Sequence, residues 1–278
     1  MKRKGLVLRT FSYVYVLIGC LLIGGPMYLT VANAMKDTQQ FTNNFFALPE
    51  SFYLENFINV ISKANYFRYV FNSAFVMVAG VALILLLVPL TAFPVARHMR
   101  TKRYYRFLYY FILLGIFVPF QVKMLPIVKL MASLKLMNPV GLVLLYGCGA
   151  LCQDIFLMVG YIQTLPRDLE EAAAIDGCTR LGTMFRIVYP LLSPMLATIL
   201  IKDALWIWND FQMPLLILNV STDYWTLPLF QYNFKSTYSV DFTMAFAAFT
   251  LSILPMMLIF LVAQKKIMGG LTSGAVKS

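Results

Sequence analysis

Ala74-Phe-Val-Met-Val-Ala-Gly-Val-Ala-Leu-Ile-Leu-Leu-Leu-Val-Pro-Leu90 carries no polar side chain along its whole length. It lies within a block from about 68 to 95, longer than the roughly 20 residues a helix needs to cross a bilayer core of about 30 Å. Five more such blocks follow or precede it, at about 11–33, 107–128, 140–162, 194–218 and 243–263. Lipid cannot satisfy backbone polar groups, and these runs are too long and too continuously apolar for barrel strands, so each is expected to be a helix. The composition agrees, with 60% of the 278 residues hydrophobic and 13% charged, against about 45–50% and about 25% in a soluble domain. The expectation is an all-α polytopic membrane protein: one transmembrane domain over 1–278, with six transmembrane helices.

Lys and Arg in short loops stay on the cytoplasmic side. With the N-terminus inside, fifteen of them fall in cytoplasmic segments: Lys2, Arg3, Lys4, Arg9, Arg97, Arg100, Lys102, Arg103, Arg106, Arg167, Arg180, Arg186, Lys265, Lys266 and Lys277. Six fall outside, at Lys36, Lys63, Arg68, Lys129, Lys135 and Lys235, while Lys123 and Lys202 lie within spans. Both termini are therefore expected in the cytoplasm. The same loop rule explains the net charge of +11, which builds no continuous basic face for nucleic acid. The basic start, the apolar run and Ala32-Asn33-Ala34 resemble a secretory signal. The apolar stretch from Phe11 to Val31 exceeds the usual core of about 7–15 residues, so it reads as a retained first span.

Four cysteines and one histidine offer little chemistry. Cys148 and Cys152 share a face of the fourth span without the third and fourth ligands a metal needs, and read as small apolar packing residues. His98, among Arg97 and Arg100, has no nucleophile or carboxylate arrangement around it and reads as interfacial. No paired acid and base is visible, so the chain is not expected to be an enzyme.

One segment behaves neither as a loop nor as a span: Gln163-Thr-Leu-Pro-Arg-Asp-Leu-Glu-Glu-Ala-Ala-Ala-Ile-Asp-Gly-Cys-Thr-Arg-Leu-Gly-Thr-Met-Phe-Arg-Ile-Val-Tyr-Pro190. Pro166 suits a first turn, Asp168, Glu170 and Glu171 suit the positive end of a helix dipole, Ala172 to Ala174 favour helix, and Gly177 ends it. Thr179 can cap a second helix running from Arg180 toward Pro190. So short a helix is marginal in water and needs a docking surface. Leu169, Ala172, Ala173 and Ile175 must be covered by the inner rim of the bundle or by a second protein.

The spacing of this segment resembles a known family. Glu171-Ala172-Ala173, three residues, Gly177, nine residues, Ile187, one residue, Tyr189 and Pro190 follow EAA-x3-G-x9-I-x-L-P, the EAA loop of ABC importer permeases, with Tyr189 where the pattern has Leu. Further likeness narrows to the carbohydrate, maltose-type branch. It is carried by Tyr53 to Phe57, Phe71-Asn72-Ser73, Leu165-Pro166 through Asp176-Gly177, Trp208-Asn209-Asp210-Phe211, Thr226-Leu227-Pro228 and Gly270 to Lys277, and runs from about residue 50 to the end.

The resemblance implies a permease in the bacterial inner membrane whose EAA helix, between the fourth and fifth spans, couples to a separate ATPase through Glu171, Ala172, Ala173, Asp176 and Gly177. It implies a second, similar permease, an ATPase dimer that hydrolyses ATP with Mg, an extracytoplasmic solute-binding protein, and a di- or oligosaccharide moved inward by alternating access. Tail residues Gly274, Ala275 and Lys277 would reach the ATPase interface. The outer loop from about 219 to 241, with Tyr224, Trp225, Tyr232 and Tyr238, would meet the binding protein. No cofactor is expected on this chain: Gly269 and Gly274 have the separation of a phosphate-binding loop, but Ala275 replaces its Lys and no strand precedes it.

Trp208, Asn209 and Asp210 fall inside the fifth block beside Pro214, as a pathway or gate position or as an interhelical anchor. Lys202 and Asp203 lie nearer the cytoplasmic end, where such side chains can snorkel, and are given no site role. Prolines 89, 94, 119, 126, 214 and 255 mark weak points in the spans. The EAA loop is shared with importers of other solutes, and a self-sufficient secondary carrier is the alternative from outside the class. A carrier would show inverted repeats and midplane ion sites, neither of which is visible.

Overall fold

The computed structural model describes residues 2–62, 65–232 and 242–275, with 2–8, 10, 259, 260 and 262–275 as backbone only. The described residues form helices and connecting turns, with no strand among them. The chain divides into two compact units, Met1–Phe67 with Phe230–Met256, and Arg68–Leu229 with Met257–Ser278.

The first unit begins with α1 (Lys2–Ala34), whose apolar stretch is unburied from Phe11 to Val31 and becomes buried at Ala32–Ala34. Two short helices follow, α2 (Thr38–Asn43) and α3 (Glu55–Ser62). Their junction with α1 is a buried polar knot. Lys36, fully buried, donates to Asn33 Oδ1 at 3.0 Å and to the carbonyls of Asn44 at 2.9 Å and Phe45 at 3.1 Å. Those three acceptors match the three donors of an ammonium, which is how a buried charge is tolerated. Burial still lowers the lysine below its ordinary pKa. Asn56 on α3 completes the knot, its amide donating to the carbonyls of Ala34 at 2.9 Å and Lys36 at 2.7 Å. Phe41 of α2 stacks on Phe242 at 5.8 Å and meets Phe246 at 6.0 Å, fastening this segment to the helix that begins at Phe242.

The second unit is built on three long helices. These are α4 (Tyr66–His98), α7 (Pro139–Ile162) and α11 (Ser193–Asn209), with α5 (Arg103–Leu114) and α6 (Phe120–Ser133) between the first two. Each presents a stripe at helical spacing to the others. Met77, Val81, Ile84, Val88, Ala92 and Val95 are buried on α4, Tyr146, Ala150, Asp154, Met158 and Ile162 on α7, and Leu196, Ile199, Asp203 and Ile207 on α11. Close packing uses small residues, as expected where lipid gives helices no hydrophobic drive to associate. A Cβ on Gly147 would stand 2.6 Å from Leu83 Cδ2, and one on Gly80 3.0 Å from Ile207 Cδ1. Cys152 packs over Gly115, and no metal-binding cluster occurs among the described residues.

Between α7 and α11 lie α8 (Asp168–Ile175), α9 (Arg180–Thr183), a π-helical turn at Met184–Val188 and α10 (Tyr189–Leu191). After α11 come α12 (Gln212–Ile217), α13 (Leu227–Tyr232) and α14 (Phe242–Ala275).

The third apolar block, expected as one helix over about 107–128, is instead two. A turn at Gly115–Phe117 and an extended Val118 (φ −83, ψ 111) separate α5 from α6, which meet at 103°. Pro119 is the cause, because its ring excludes helical geometry at the residue before it. The fifth block is also broken, at Asp210 (ψ 129). Asp210 is the residue four before Pro214, whose carbonyl the proline ring would strike in a continuous helix. Among the described residues, three helices are long and apolar enough to cross a membrane, and five if each of two bent pairs, Arg103–Phe117 with Phe120–Ser133 and Arg180–Leu191 with Ser193–Asn209 (74°), counts as one crossing; Phe242–Leu258 is a shorter apolar helix.

Replacing Asn56 with Ala leaves two buried carbonyls without a donor and should destabilise the protein by about 1–3 kcal/mol. Asn56→Asp should do at least as much, since a carboxylate cannot donate. Thermal unfolding of the purified protein in detergent reads both.

Candidate functional site

The segment 163–190 folds as its local chemistry dictates. Asp168, Glu170 and Glu171 occupy the first turn of α8, and Gly177 ends it at φ +78, a left-handed conformation that glycine adopts without strain. Cys178 N–H then reaches Ala173 O at 2.9 Å and Gly177 N–H reaches Ala174 O at 3.1 Å, the paired bonds that close a helix through a left-handed residue. Thr179 caps α9, accepting from Gly182 N at 3.1 Å.

Only one side of α8 is covered. Ala173 is buried, whereas Ala172, Ala174 and Asp176 are exposed, as are Ile175 at 87% and, on α9, Leu181 at 65%.

The covered side is held by Arg97, buried at the end of α4. Its guanidinium pairs with Glu170 at 2.6 Å through Nη2 and donates from Nε to the same oxygen at 2.8 Å. Nη2 also donates to Leu165 O at 3.2 Å, and Arg167 in return donates to the carbonyl of Arg97 at 3.2 Å. A rigid planar fork suits this partly buried, multi-acceptor role better than a lysine would. A groove of ≈ 470 Å³ opens beside the pair, lined by Arg97, His98, Glu171, Cys178 and Arg180 among others.

A second polar arrangement lies within the helices. Lys202 Nζ stands 2.7 Å from Asp154 Oδ1 on α7 and 2.6 Å from Asp203 Oδ1 on its own helix, with both carboxylates fully buried. Nearer the other end of the same interface, Tyr146 donates to Asp210 Oδ2 at 2.8 Å.

Residues 89–268 match the family described as "Binding-protein-dependent transport system inner membrane component". The chain belongs to that family. Over its whole length it is 41% identical to the multiple sugar-binding transport system permease protein MsmG of Streptococcus mutans, covering all of both chains. It is 31% identical to a probable starch degradation products transport system permease protein, AmyC, of Thermoanaerobacterium thermosulfurigenes, over 91% of each. A chain from the crystal structure of a bacterial ABC transporter involved in importing the acidic polysaccharide alginate shares the fold, with a TM-score of 0.81 at 21% identity over 95% of this chain and 97% of that one. The chain is thus a multi-pass permease among relatives of the carbohydrate branch, and those relatives are transport permeases rather than enzymes.

Several residues singled out from the sequence take different positions in the permease. Glu171 is exposed, and it is Glu170 that ties α8 to the bundle. Trp208 is buried, Asn209 bonds back to Leu205 O at 2.8 Å on its own helix, and Asp210 both accepts from Tyr146 and caps α12 by accepting from Gln212 N at 2.9 Å. The three do not converge on one site. Gly274 and Ala275 lie in the backbone of α14, and Lys277 and Tyr238 lie outside the described residues.

Lys202 and Asp203 do not snorkel. Lys202 is the tenth residue of α11, about 14 Å along a helix of 1.5 Å rise, and Asp203 faces α7. The sequence does carry a signal for this cluster: Asp154 is the lone charged residue of α7, and a carboxylate inside a span calls for a cation from a neighbour.

Replacing Lys202 with Met leaves two buried carboxylates facing each other and should cost about 3–5 kcal/mol. The uncharged triple replacement, Lys202→Met with Asp154→Leu and Asp203→Leu, should recover most of it. Thermal unfolding and the yield of monodisperse permease from membranes read both variants.

Proposed function

We propose that this chain is one of two permease subunits of an ATP-binding-cassette importer that carries a di- or oligosaccharide into the cytoplasm. A separate ATPase dimer hydrolyses ATP with Mg, an extracytoplasmic binding protein delivers the sugar, and α8 is the helix that enters the ATPase. The crossings are α1, α4, α5 with α6, α7, α11 with α12, and α14, with both termini in the cytoplasm as the Lys and Arg distribution supports.

The observation that carries this reading is α8 itself. It is a helix of eight residues, too short to be stable alone, clamped by Glu170 and Arg97 on one side and presenting Ile175 on the other. Closing of the ATPase dimer would draw α8 with it. The Arg97 clamp would then pass the displacement to α4, and the helices of the second unit would follow as near-rigid bodies into the outward-open state. Glu171, Ala172 and Asp176, all exposed, are available to the ATPase cleft, while Gly177 sets the turn that presents them. A sugar is favoured because the relatives at 41% and 31% identity are described as transporting multiple sugars and starch degradation products.

Affinity purification of this permease from native membranes should bring down an ATP-hydrolysing subunit and a second permease; recovery of the chain alone would defeat the proposal. Gly177→Val forces a β-branched residue to positive φ, and should abolish uptake while the subunit still reaches the membrane at normal abundance. Wild-type uptake in that variant would remove α8 from the coupling role. A panel of labelled di- and oligosaccharides offered to reconstituted vesicles with the binding protein identifies the substrate, and uptake of none of them would remove the sugar from the reading.

A further inference from the structure

Pro89 lies inside α4. Having no N–H, it leaves the carbonyl four residues earlier, that of Leu85, without its helical donor. In the interior of a membrane helix no water takes that place, and another protein group must. The group is the hydroxyl of Tyr189, which donates to Leu85 O at 3.2 Å from 104 positions away in the sequence.

Tyr189 opens α10 at the end of the coupling segment. Its placement is fixed locally. Pro190 would clash with the carbonyl of Arg186 in a regular α-helix, and the chain widens instead into the π-helical turn Met184–Val188, closed by Tyr189 N–H on Met184 O. Phe185 packs beside the tyrosine ring, centroids 6.0 Å apart. Tyr189 is also the position at which this chain departs from the EAA pattern, which has Leu there and so has no hydroxyl to offer.

We propose that Tyr189 is a positioning residue: its hydroxyl replaces the amide that Pro89 lacks and thereby fastens the downstream end of the coupling segment to the weak point of α4. The segment is then held to α4 at two heights, by Glu170 on Arg97 at the helix end and by Tyr189 on Leu85 twelve residues, about 18 Å, further in. Movement of α8 is passed to α4 on both sides of Pro89, so the helix moves as one piece and does not flex at the proline. This transmission rests on α8 being the coupling helix; the hydrogen bond itself does not.

The test is a double-mutant cycle. Tyr189→Phe removes only the hydroxyl, and Pro89→Ala restores the N–H that satisfies Leu85 within the helix. In the native background Tyr189→Phe should lower the melting temperature of the purified permease by about 2–4 °C, the scale of one hydrogen bond in a chain of this size. It should also lower sugar taken up per ATP hydrolysed several-fold in the assembled importer. In the Pro89→Ala background the same replacement should change neither. Pro89→Leu serves equally if Pro89→Ala is not recovered. Equal losses in both backgrounds, or no loss in either, overturn the pairing of Tyr189 with Pro89. A melting cycle that closes as expected while uptake per ATP is unchanged overturns the transmission role. The melting arm needs no ATPase, so failure of the wild-type permease to bind one would strike the proposed function and leave the cycle readable.

Discussion

A polar group in the interior of this molecule has no water to fall back on. That constraint explains more of the second unit than apolar burial does, because lipid tails are as apolar as the side chains and give helices no hydrophobic reason to meet. What draws them together is close packing at small residues and the need of each carbonyl, carboxylate or ammonium for a protein partner. Lys202 between Asp154 and Asp203, Tyr146 on Asp210 and Tyr189 on Leu85 are three answers to that need, and each joins two different elements.

The same logic gives α4 its place in the architecture. At its N-terminal end Arg68 pairs with Asp223, Asn72 donates to the carbonyls of Asp223 and Trp225, and Ser73 accepts from Leu227 N–H. At its C-terminal end Arg97 holds Glu170 and Leu165. A helix of 33 residues, about 50 Å long, is therefore tied at both ends, to the chain between α12 and α13 at one and to the chain that leads from α7 into α8 at the other. Between the ties it contains two prolines, and one of the carbonyls they release is taken up by Tyr189.

The segment 163–190 was legible because everything that shapes it is local. Pro166, the three acids, Gly177 and Thr179 act on backbone within a turn of themselves, and the geometry follows from their order. The partner of α8 within its own chain was not legible. Glu170 and Glu171 are adjacent and chemically alike, and which of them faces Arg97 depends on the rotation of α8 against a helix that ends seventy residues earlier. Pro119 and Pro214 were visible as weak points, but the 103° turn beside one and the break at Asp210 before the other appear only when neighbouring helices fix where the chain goes next.

Sequence alone determined that the chain is a membrane-spanning permease of this family, that its apolar residues come in long blocks, and that a short helix ended by Gly177 stands between two of them. These are set by composition and by interactions within a few residues, which do not depend on the fold. Tertiary structure alone decided that Asp203 is buried with Asp154 and that Lys202 pairs with both, that Glu170 is the anchor, and that the tyrosine standing in for leucine at 189 donates to the Leu85 carbonyl that Pro89 leaves without its helical donor. Each of those outcomes depends on a donor and an acceptor far apart in the chain, and only packing brings such groups within 3 Å or so of each other.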